Sequence, residues 1–330
     1  AAPDFANTVL ALEQSGTMLS RVTAVFFAMT SADTNDYLQT LDEAFSAELA
    51  ELADDIWLNA ALFARVDAVY QTRHSSGLDA ESLRLVETLW QQFMLAGARL
   101  GDEQKAQLKA LNQEAARLTS QFNNRLLAAN KAGALVIDDV AQLNGLSEEE
   151  IAAAAAAATA RGLDGRWVLP LLNTTQQPAL ATLENRATRE KLFNAAWERA
   201  QRGDDNDTRA LVLRLAELRA QQAALLGFND FASWKIADQM AKTPQAAQRF
   251  MRNIAPAAKA RAERERADIQ QVVDKQHGDF SVQAWDWNYY AGEVRREKYA
   301  LNENDIKPYF ELDSVLTRGV FYAANRLFGI

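Results

Sequence analysis

The segment 108–126, LKALNQEAARLTSQFNNRL, carries the clearest structural signal in this sequence. Its apolar side chains recur at steps of three and four residues, which places them on one face of an α-helix. The members of this face are Leu108, Leu111, Ala115, Leu118, Phe122 and Leu126. Polar residues fill the positions between them, so the segment predicts an amphipathic helix that packs one side against a core.

The same spacing recurs on both sides of this segment. Apolar residues follow it through 38–56, 86–100 and 211–225. No repeat of fixed length relates these runs to one another, so a solenoid is not indicated. The pattern predicts a mainly α fold in which the helices pack as an irregular multi-helix bundle.

Several residues mark helix boundaries. Ser147 with Glu150 has the spacing of a capping box ahead of an alanine-rich run, and Thr243–Pro244 reads as an N-cap followed by a first-turn proline. Gly227 follows an apolar run at the place where a helix commonly ends in a left-handed residue. Pro256 lacks a backbone donor, and it predicts a break or kink within the helix that begins near Pro244.

Two short segments depart from the helical pattern. Residues 134–138 and 166–171 are rich in β-branched and aromatic side chains and are bounded by glycine and proline. We expect one or two short β segments there, inserted between helical blocks. The composition changes after Gly145, which predicts an N-terminal helical block at 1–145 and a second helical block with the short strands at 146–330.

Composition excludes several classes of protein. The net charge of −9 and the lack of a basic run argue against a nucleic-acid partner. No apolar run reaches the length of a membrane span, so we expect no membrane association. The chain has no cysteine, which rules out disulfides, thiol nucleophiles and cysteine-based metal sites. This composition favours the cytoplasm and is also compatible with a periplasm.

The chain shows no catalytic or metal-binding pattern of its own. His74 and His277 are its only histidines, and neither has a second ligand at helical spacing. The acid pairs Asp54–Asp55 and Asp138–Asp139 are sequence neighbours whose side chains point in different directions, which indicates exposed or capping residues. No phosphate-binding glycine loop or nucleophile elbow occurs. We therefore expect no catalytic residue and no metal ligand in this chain.

One aromatic cluster is a candidate binding site in a sequence that otherwise lacks catalytic and metal-binding motifs. Trp285, Trp287, Tyr289 and Tyr290 lie within six residues, and Arg296 follows on the same predicted helix. Such rings offer apolar area together with a polar group and are common in peptide-binding sites. The competing interpretation, which we favour for buried aromatics in general, is that they pack a helix onto the core. These five residues are our candidates for contact with a substrate.

Three blocks, in order over residues 170–330, resemble the bacterial peptidyl-dipeptidases (dipeptidyl carboxypeptidases) of the thimet oligopeptidase family of zinc metallopeptidases. The first block is PLLNTTQQP at 170–178 followed by NRATREKLF at 185–193, and the second is LLGF at 225–228 followed by MAKTP at 240–244. The third block comprises WDW at 285–287, Tyr290, KPYFEL at 307–312 and LFGI at 327–330. The N-terminal part of the chain is consistent with this resemblance but less distinctive.

The resemblance implies the N-terminal lobe of an oligopeptidase-like, nearly all-helical fold whose two lobes flank a channel for short peptides. Enzymes of this family hold zinc through an H-E-x-x-H helix and a further glutamate, and this branch removes dipeptides from the C-terminus of oligopeptides. The zinc motif of the family lies downstream of the LFGI block at 327–330. We therefore expect the chain to be a non-catalytic N-terminal portion that shapes the substrate channel, binds no zinc, and has short peptides and the C-terminal catalytic half as partners.

Two alternatives remain open at this point. The chain could be a stand-alone helical module that binds peptides or a partner through Trp285–Tyr290 without cutting them. It could also be a stable structural unit with no ligand. Saturable peptide binding by the isolated chain, and its loss on substitution of the tryptophans, distinguishes these alternatives.

Overall fold

The computed structural model describes residues 1–172, 177–300 and 306–330. Helices dominate it, and the longer ones are α1 (Thr17–Ala32), α2 (Asp36–Trp57), α3 (Ala60–Thr72), α4 (Ala80–Ala96), α5 (Asp102–Ala132), α6 (Glu148–Thr159), α7 (Arg186–Trp197), α8 (Arg209–Leu225), α9 (Phe231–Ile236), α10 (Pro244–Lys275), α11 (Trp287–Tyr299) and α12 (Tyr322–Phe328). Short helical turns cover Phe5–Leu10, Ala11–Glu13, Val140–Leu143, Pro178–Ala181, Lys307–Phe310, Leu312–Ser314 and Val315–Phe321. The predicted mainly α fold is confirmed.

The predicted short strands are confirmed as one antiparallel pair. Strand β1 covers Leu135–Ile137 and strand β2 covers Trp167–Leu169. Leu135 lies opposite Leu169, and Ile137 lies opposite Trp167. Helix α6 lies between the two strands in the sequence and contacts β2.

The boundary signals of the sequence are largely realised. Ser147 Oγ accepts a hydrogen bond from the Glu150 amide at 3.2 Å, and Glu150 Oε2 accepts one from the Ser147 amide at 2.8 Å, which completes the capping box of α6. Thr243 Oγ1 accepts from the Ala246 amide at 3.2 Å at the start of α10. Gly227 follows α8 with a φ of 80°, a conformation that costs glycine little.

A break at Pro256 is wrong, because α10 continues through this proline to Lys275. A kink there, the other predicted outcome, stays a prediction. A proline at this position leaves the carbonyl of Arg252 without its usual helical donor. Residues 251–260 are all exposed, so water can solvate that carbonyl and the helix can tolerate the loss.

The chain forms two compact units, each built from two separate stretches. Unit 1 comprises Ala1–Ala132 and Glu198–Ile254, and unit 2 comprises Gly133–Trp197 and Ala255–Ile330. This grouping differs from the sequential division at 145 and 146, because the chain leaves unit 1 after α5 and returns to it after α7. The division into an N-terminal helical block at 1–145 and a second helical block at 146–330 stays a prediction.

Unit 1 contains the amphipathic helix predicted at 108–126. Its apolar face on α5 packs against α8, and the buried members of this cluster are Leu111, Leu118, Leu211, Leu215 and Leu218. Arg214 on α8 donates to both carboxylate oxygens of Glu114 on α5, at 2.7 and 2.8 Å. Two further buried clusters join α3 and α4, one around Val69 and Val86 and the other around Val66 and Phe93.

Asp54 corrects the expectation that the acid pairs lie at the surface. Its side chain is buried in unit 1, where Oδ1 accepts a hydrogen bond from Asn112 Nδ2 at 2.7 Å. Asn112 Oδ1 accepts in turn from Gln222 Nε2 at 2.7 Å. Burial, only partly offset by Asn112 and Lys109, raises the pKa of Asp54 above its usual value. The neighbouring Asp55 is exposed and pairs with Lys109 at 2.5 Å, so the two carboxylates do not converge.

Unit 2 has two apolar clusters. The first surrounds the strand pair and α7, and its fully buried members include Ile137, Leu143, Leu183 and Leu192. The second lies between the C-terminal part of α10 and α11, where Ile269, Val272, Val273, Val282 and Tyr290 are buried. The Trp-Asp-Trp segment at 285–287 leads into α11.

Candidate peptide-contacting surface

Asp286, at the start of α11, is fully buried and is held by two arginines of α7. Arg186 donates to it through Nε and Nη2, with the shortest contact at 2.9 Å, and Arg189 Nη2 donates to Oδ1 at 3.0 Å. The amide of Gln283 donates to Oδ2 at 3.1 Å. A buried carboxylate is stable only when opposite charges and hydrogen bonds replace its water, and both are present here.

Arg189 is itself buried and is tied to the backbone ahead of α7. Its Nη1 donates to the carbonyls of Leu183 at 2.8 Å and Glu184 at 3.0 Å. Its guanidinium also lies over the rings of Tyr289, 4.4 Å from the centroid, and Tyr290, at 5.6 Å. The arginine therefore joins the entry to α7 with the first turn of α11.

Arg186, the second arginine that binds Asp286, also packs against aromatic rings. Its guanidinium lies 4.1 Å from the ring centroid of Phe280 and 5.7 Å from that of Trp285. Trp285 in turn packs against Phe193 of α7, with 6.1 Å between ring centroids. Each arginine is thus sandwiched between the acid and aromatic rings, which fixes the direction of the Trp285–Tyr290 segment.

The five predicted candidates occupy different environments. Tyr290 is buried in the second apolar cluster, so the packing interpretation describes it best. Tyr289 is half-buried and meets Tyr290 edge to face at 5.0 Å, and burial raises the pKa of its hydroxyl. Trp285 and Trp287 are half-buried, whereas Arg296 is exposed and pairs with Glu293 on its own helix at 2.8 Å.

Trp287 also lines a groove in unit 2 with a volume of about 630 Å³. The walls come from the 3₁₀ turn after residue 177, from α10 and from α11. The lining residues are Gln177, Pro178, Ala181, Arg261, Glu265, Asp268, Ile269, Trp287, Asn288, Ala291, Val294, Arg295, Lys298 and Tyr299. This volume falls within the range of small-molecule sites, and Trp287 is the member of the predicted set that the groove includes.

Paired charges line the sides of this groove. Lys298 on α11 donates to Asp268 on α10 at 2.6 Å, and Arg261 donates to Glu265 at 2.7 Å. The hydrogen bond from Lys298 lowers the pKa of Asp268 below its usual value. Charges of both signs beside an indole suit a peptide, whose backbone donates and accepts hydrogen bonds and whose termini are charged.

Sequence reasoning quoted Arg186, Arg189 and Asp286 within motifs but assigned them no role. An aspartate between two tryptophans is a weak signal of burial, and its partners on α7 are 97 and 100 positions away in the sequence. Arg261, Asp268 and Lys298 were missed because each is an ordinary charged residue until two helices are placed side by side. Residues 173–176 of the 170–178 motif lie outside the described residues.

The described residues offer no fit to a metal ion. His74 and His277 are both exposed in turns, at separate places in the chain. Within 1–172, 177–300 and 306–330, no three histidine or acidic side chains gather as a possible metal site.

Helices long and apolar enough to cross a membrane are absent from the described part of the chain.

Comparison with known proteins identifies a peptidase family and several similar sequences. Residues 179–330 match the model of peptidase family M3. The chain is 67% identical to dipeptidyl carboxypeptidase of Escherichia coli K12 over 328 residues, which is 99% of this chain and 48% of that protein.

Two further relatives extend the comparison. Dipeptidyl carboxypeptidase of Salmonella typhimurium LT2 is 66% identical over 330 residues, covering all of this chain and 48% of that protein. Oligopeptidase A of Haemophilus influenzae is 26% identical over 329 residues, with 98% of this chain and 48% of that protein covered. The chain spans about half the length of these curated relatives.

Proposed function

We propose that the chain, a relative of the family M3 peptidases and of bacterial dipeptidyl carboxypeptidases, is the non-catalytic N-terminal part of a zinc-dependent peptidyl-dipeptidase. The observation that carries the proposal is the 67% identity over 99% of the chain, in a sequence with only two histidines and no H-E-x-x-H. The parent enzyme would cleave dipeptides from the C-terminus of short peptides.

Zinc enters this proposal only through the remainder of the parent protein. When bound there, the metal would polarise the scissile carbonyl and activate a water molecule. His74 and His277 are exposed and isolated, so we assign no ligand, base or oxyanion donor to any residue of this chain. The C-terminal catalytic half is accordingly the proposed partner of the chain, in the cytoplasm, with short peptides as substrate.

The proposed contribution of this chain is to shape part of the substrate channel. The groove beside Trp287 supports it, because an indole and the paired charges Lys298–Asp268 and Arg261–Glu265 offer contacts to a peptide backbone. Trp285 and Tyr289 are proposed to support this wall through Arg186 and Arg189. Tyr290 contributes through the core, and Arg296 contributes at the exposed end of α11.

The experiment compares the 330-residue chain with the full-length parent protein. We expect the parent to release dipeptides from an octapeptide with a free carboxyl terminus and to contain one zinc per chain by elemental analysis. The 330-residue chain alone should do neither. Hydrolysis or stoichiometric zinc in the chain alone would overturn the proposal, as would a parent gene without H-E-x-x-H after residue 330.

A stand-alone module that binds peptides without hydrolysis remains the second candidate, and the aromatic groove favours it. It predicts that the 330-residue chain binds the same octapeptide saturably in calorimetry even though the parent gene encodes no zinc motif. Absence of both peptide binding and a zinc motif would leave a purely structural role.

A further inference from the structure

Helix α1 in unit 1 is apolar yet contributes no buried residue. Met18, Val22, Val25 and Met29 are each more than half exposed along it. A soluble chain seldom leaves so large an apolar surface in water unless another surface covers it. We therefore expect another apolar surface to cover the exposed side chains of α1.

The two helices enclose an apolar groove of about 430 Å³. Its lining residues are Leu19, Val22, Thr23, Phe26, Phe27, Phe45, Glu48, Leu49 and Leu52. Phe26 of α1 meets Phe45 of α2 edge to face, with 5.5 Å between ring centroids, and this pair bridges the two helices. Exposed methionines flank the groove on α1, and such side chains adapt readily to different apolar partners.

Acidic residues predominate on the two helices that form this groove, and Arg21 is the one basic residue of α1. Residues 22–64 contain no lysine or arginine, although they include Asp33, Asp36, Asp42, Glu43, Glu48 and Glu51 besides the buried Asp54 and the Lys109-paired Asp55. Glu48 lies in the groove itself, is exposed, and makes no ion pair within 4 Å among the described residues. The groove is thus apolar and carries one carboxylate, that of Glu48, without an ion-pair partner among the described residues.

Charge discriminates between the possible occupants. A second copy of the chain docked through the same groove would bring two acidic surfaces together, which is unfavourable at short range. An anionic lipid surface would be repelled for the same reason. A helix with one apolar face and lysine or arginine along its flanks can pack its apolar side chains in the groove and pair its basic side chains with the carboxylates.

We propose that the groove between α1 and α2 is a docking site for a cationic amphipathic helix of a protein partner. Leu19, Val22, Phe26, Phe45 and Leu52 receive its apolar side chains, and Glu48 pairs with one of its basic residues. The groove lies within unit 1, and the proposal does not depend on the peptidase assignment.

The test uses the 330-residue chain and the peptide LKKLLKLLKKLLKL, labelled for fluorescence anisotropy. We expect saturable one-to-one binding that weakens when sodium chloride rises from about 50 to about 500 mM, because screening removes the charge contribution. The peptide LEELLELLEELLEL has the same apolar face and should not bind. Equal binding of both peptides would overturn the proposal.

Matched variants locate the site. Val22→Asn should weaken binding about tenfold, because it removes an apolar contact in the groove. Val25→Asn changes a residue of similar exposure on the same helix that does not line the groove, and it should leave the affinity unchanged. Glu48→Lys should weaken binding at least tenfold, whereas Glu263→Lys makes the same change in net charge in unit 2 and should not.

Other outcomes would assign the groove to another occupant and overturn the proposal. One is a dimer in sedimentation that Val22→Asn dissolves, with no peptide binding. Another is sedimentation of the chain with vesicles of phosphatidylglycerol. Circular dichroism melting of each variant identifies any loss of binding that comes from unfolding.

Discussion

Arg189 on α7 and Asp286 at the start of α11 form a buried ion pair across 97 positions of the sequence, with 3.0 Å between Nη2 and Oδ1. Both side chains are almost completely shielded from water. The pair joins α7, which packs in the first apolar cluster of unit 2, to α11, which packs in the second. Trp285 and Trp287 flank the acid in the sequence. The geometry of the candidate surface therefore depends on a buried contact between two residues that do not line the groove.

Loss of the acid should destabilise unit 2 strongly. Asp286→Ala leaves Arg189 buried without its partner, for which a cost of about 3–5 kcal/mol in the free energy of unfolding is expected. Urea unfolding followed by tryptophan fluorescence measures this change. Asp164→Ala, at an exposed turn of the same unit, is the control and should change stability by less than about 0.5 kcal/mol. A similar small change for Asp286→Ala would show that the pair carries little of the fold.

The groove residue Trp287 should matter for peptide affinity more than for stability. Trp287→Ala removes the indole from the groove wall, and we expect about a tenfold weaker affinity for an octapeptide in calorimetry. Trp197→Ala removes an indole that is 68% exposed on α7 and should leave the affinity unchanged. Equal affinity of the two variants would remove Trp287 from the proposed channel wall.

Tyr290 should show the reverse behaviour. Because its ring is buried against Ile269, Val272 and Val273, Tyr290→Ala is expected to cost about 3–5 kcal/mol of unfolding free energy. Thermal melting by circular dichroism measures it, with Tyr309→Ala, at an exposed ring, as the matched control. A stable Tyr290→Ala variant with weakened peptide binding would instead make this ring a contact residue.

The raised pKa of Asp54 gives stability a pH dependence of defined sign. The folded state holds the proton on this carboxyl more tightly than the unfolded state, so this contribution is favourable below the unfolded pKa of about 3.8 and is lost as pH rises through the folded value. Asp54→Asn cannot ionise and should raise the free energy of unfolding at pH 7 relative to the unsubstituted chain.

Comparison of the urea midpoints of the two proteins from pH 7 down to about pH 4 tests this sign. The advantage of Asp54→Asn should shrink as pH falls. Asp55→Asn, which loses only an exposed pair with Lys109, serves as the control and should show no such trend. An advantage that grows toward low pH would contradict the assignment.

The capping box offers a test of a local contact. Ser147→Ala leaves the Glu150 amide without its acceptor at the start of α6, and we expect a loss of about 1 kcal/mol. Thermal melting measures it, and Ser147→Thr should recover most of the loss because it retains a hydroxyl. A loss of the same size in both variants would exclude the cap as the cause.

Local signals predicted the helices and the strand pair well. The capping box at Ser147, the first-turn proline at Pro244 and the positive φ at Gly227 depend on residues close in sequence, so spacing alone identifies them. Pro256 does not break α10, because the cost of a proline within a helix depends on whether water reaches the freed carbonyl. Asp54 failed as a surface residue because its burial depends on α5 and α8, which the sequence does not place.

The sequence by itself determined the helical class, the strand pair and the family resemblance, since all three follow from the order and spacing of neighbouring residues. Only the tertiary structure decided which aromatic rings are core and which line a groove. The pairing of Asp286 with Arg186 and Arg189 appears only in the tertiary structure. The same is true of the apolar groove between α1 and α2 that includes Glu48. These features depend on residues from separate helices meeting in space, and the free energy of such a contact is set by burial and distance rather than by sequence spacing.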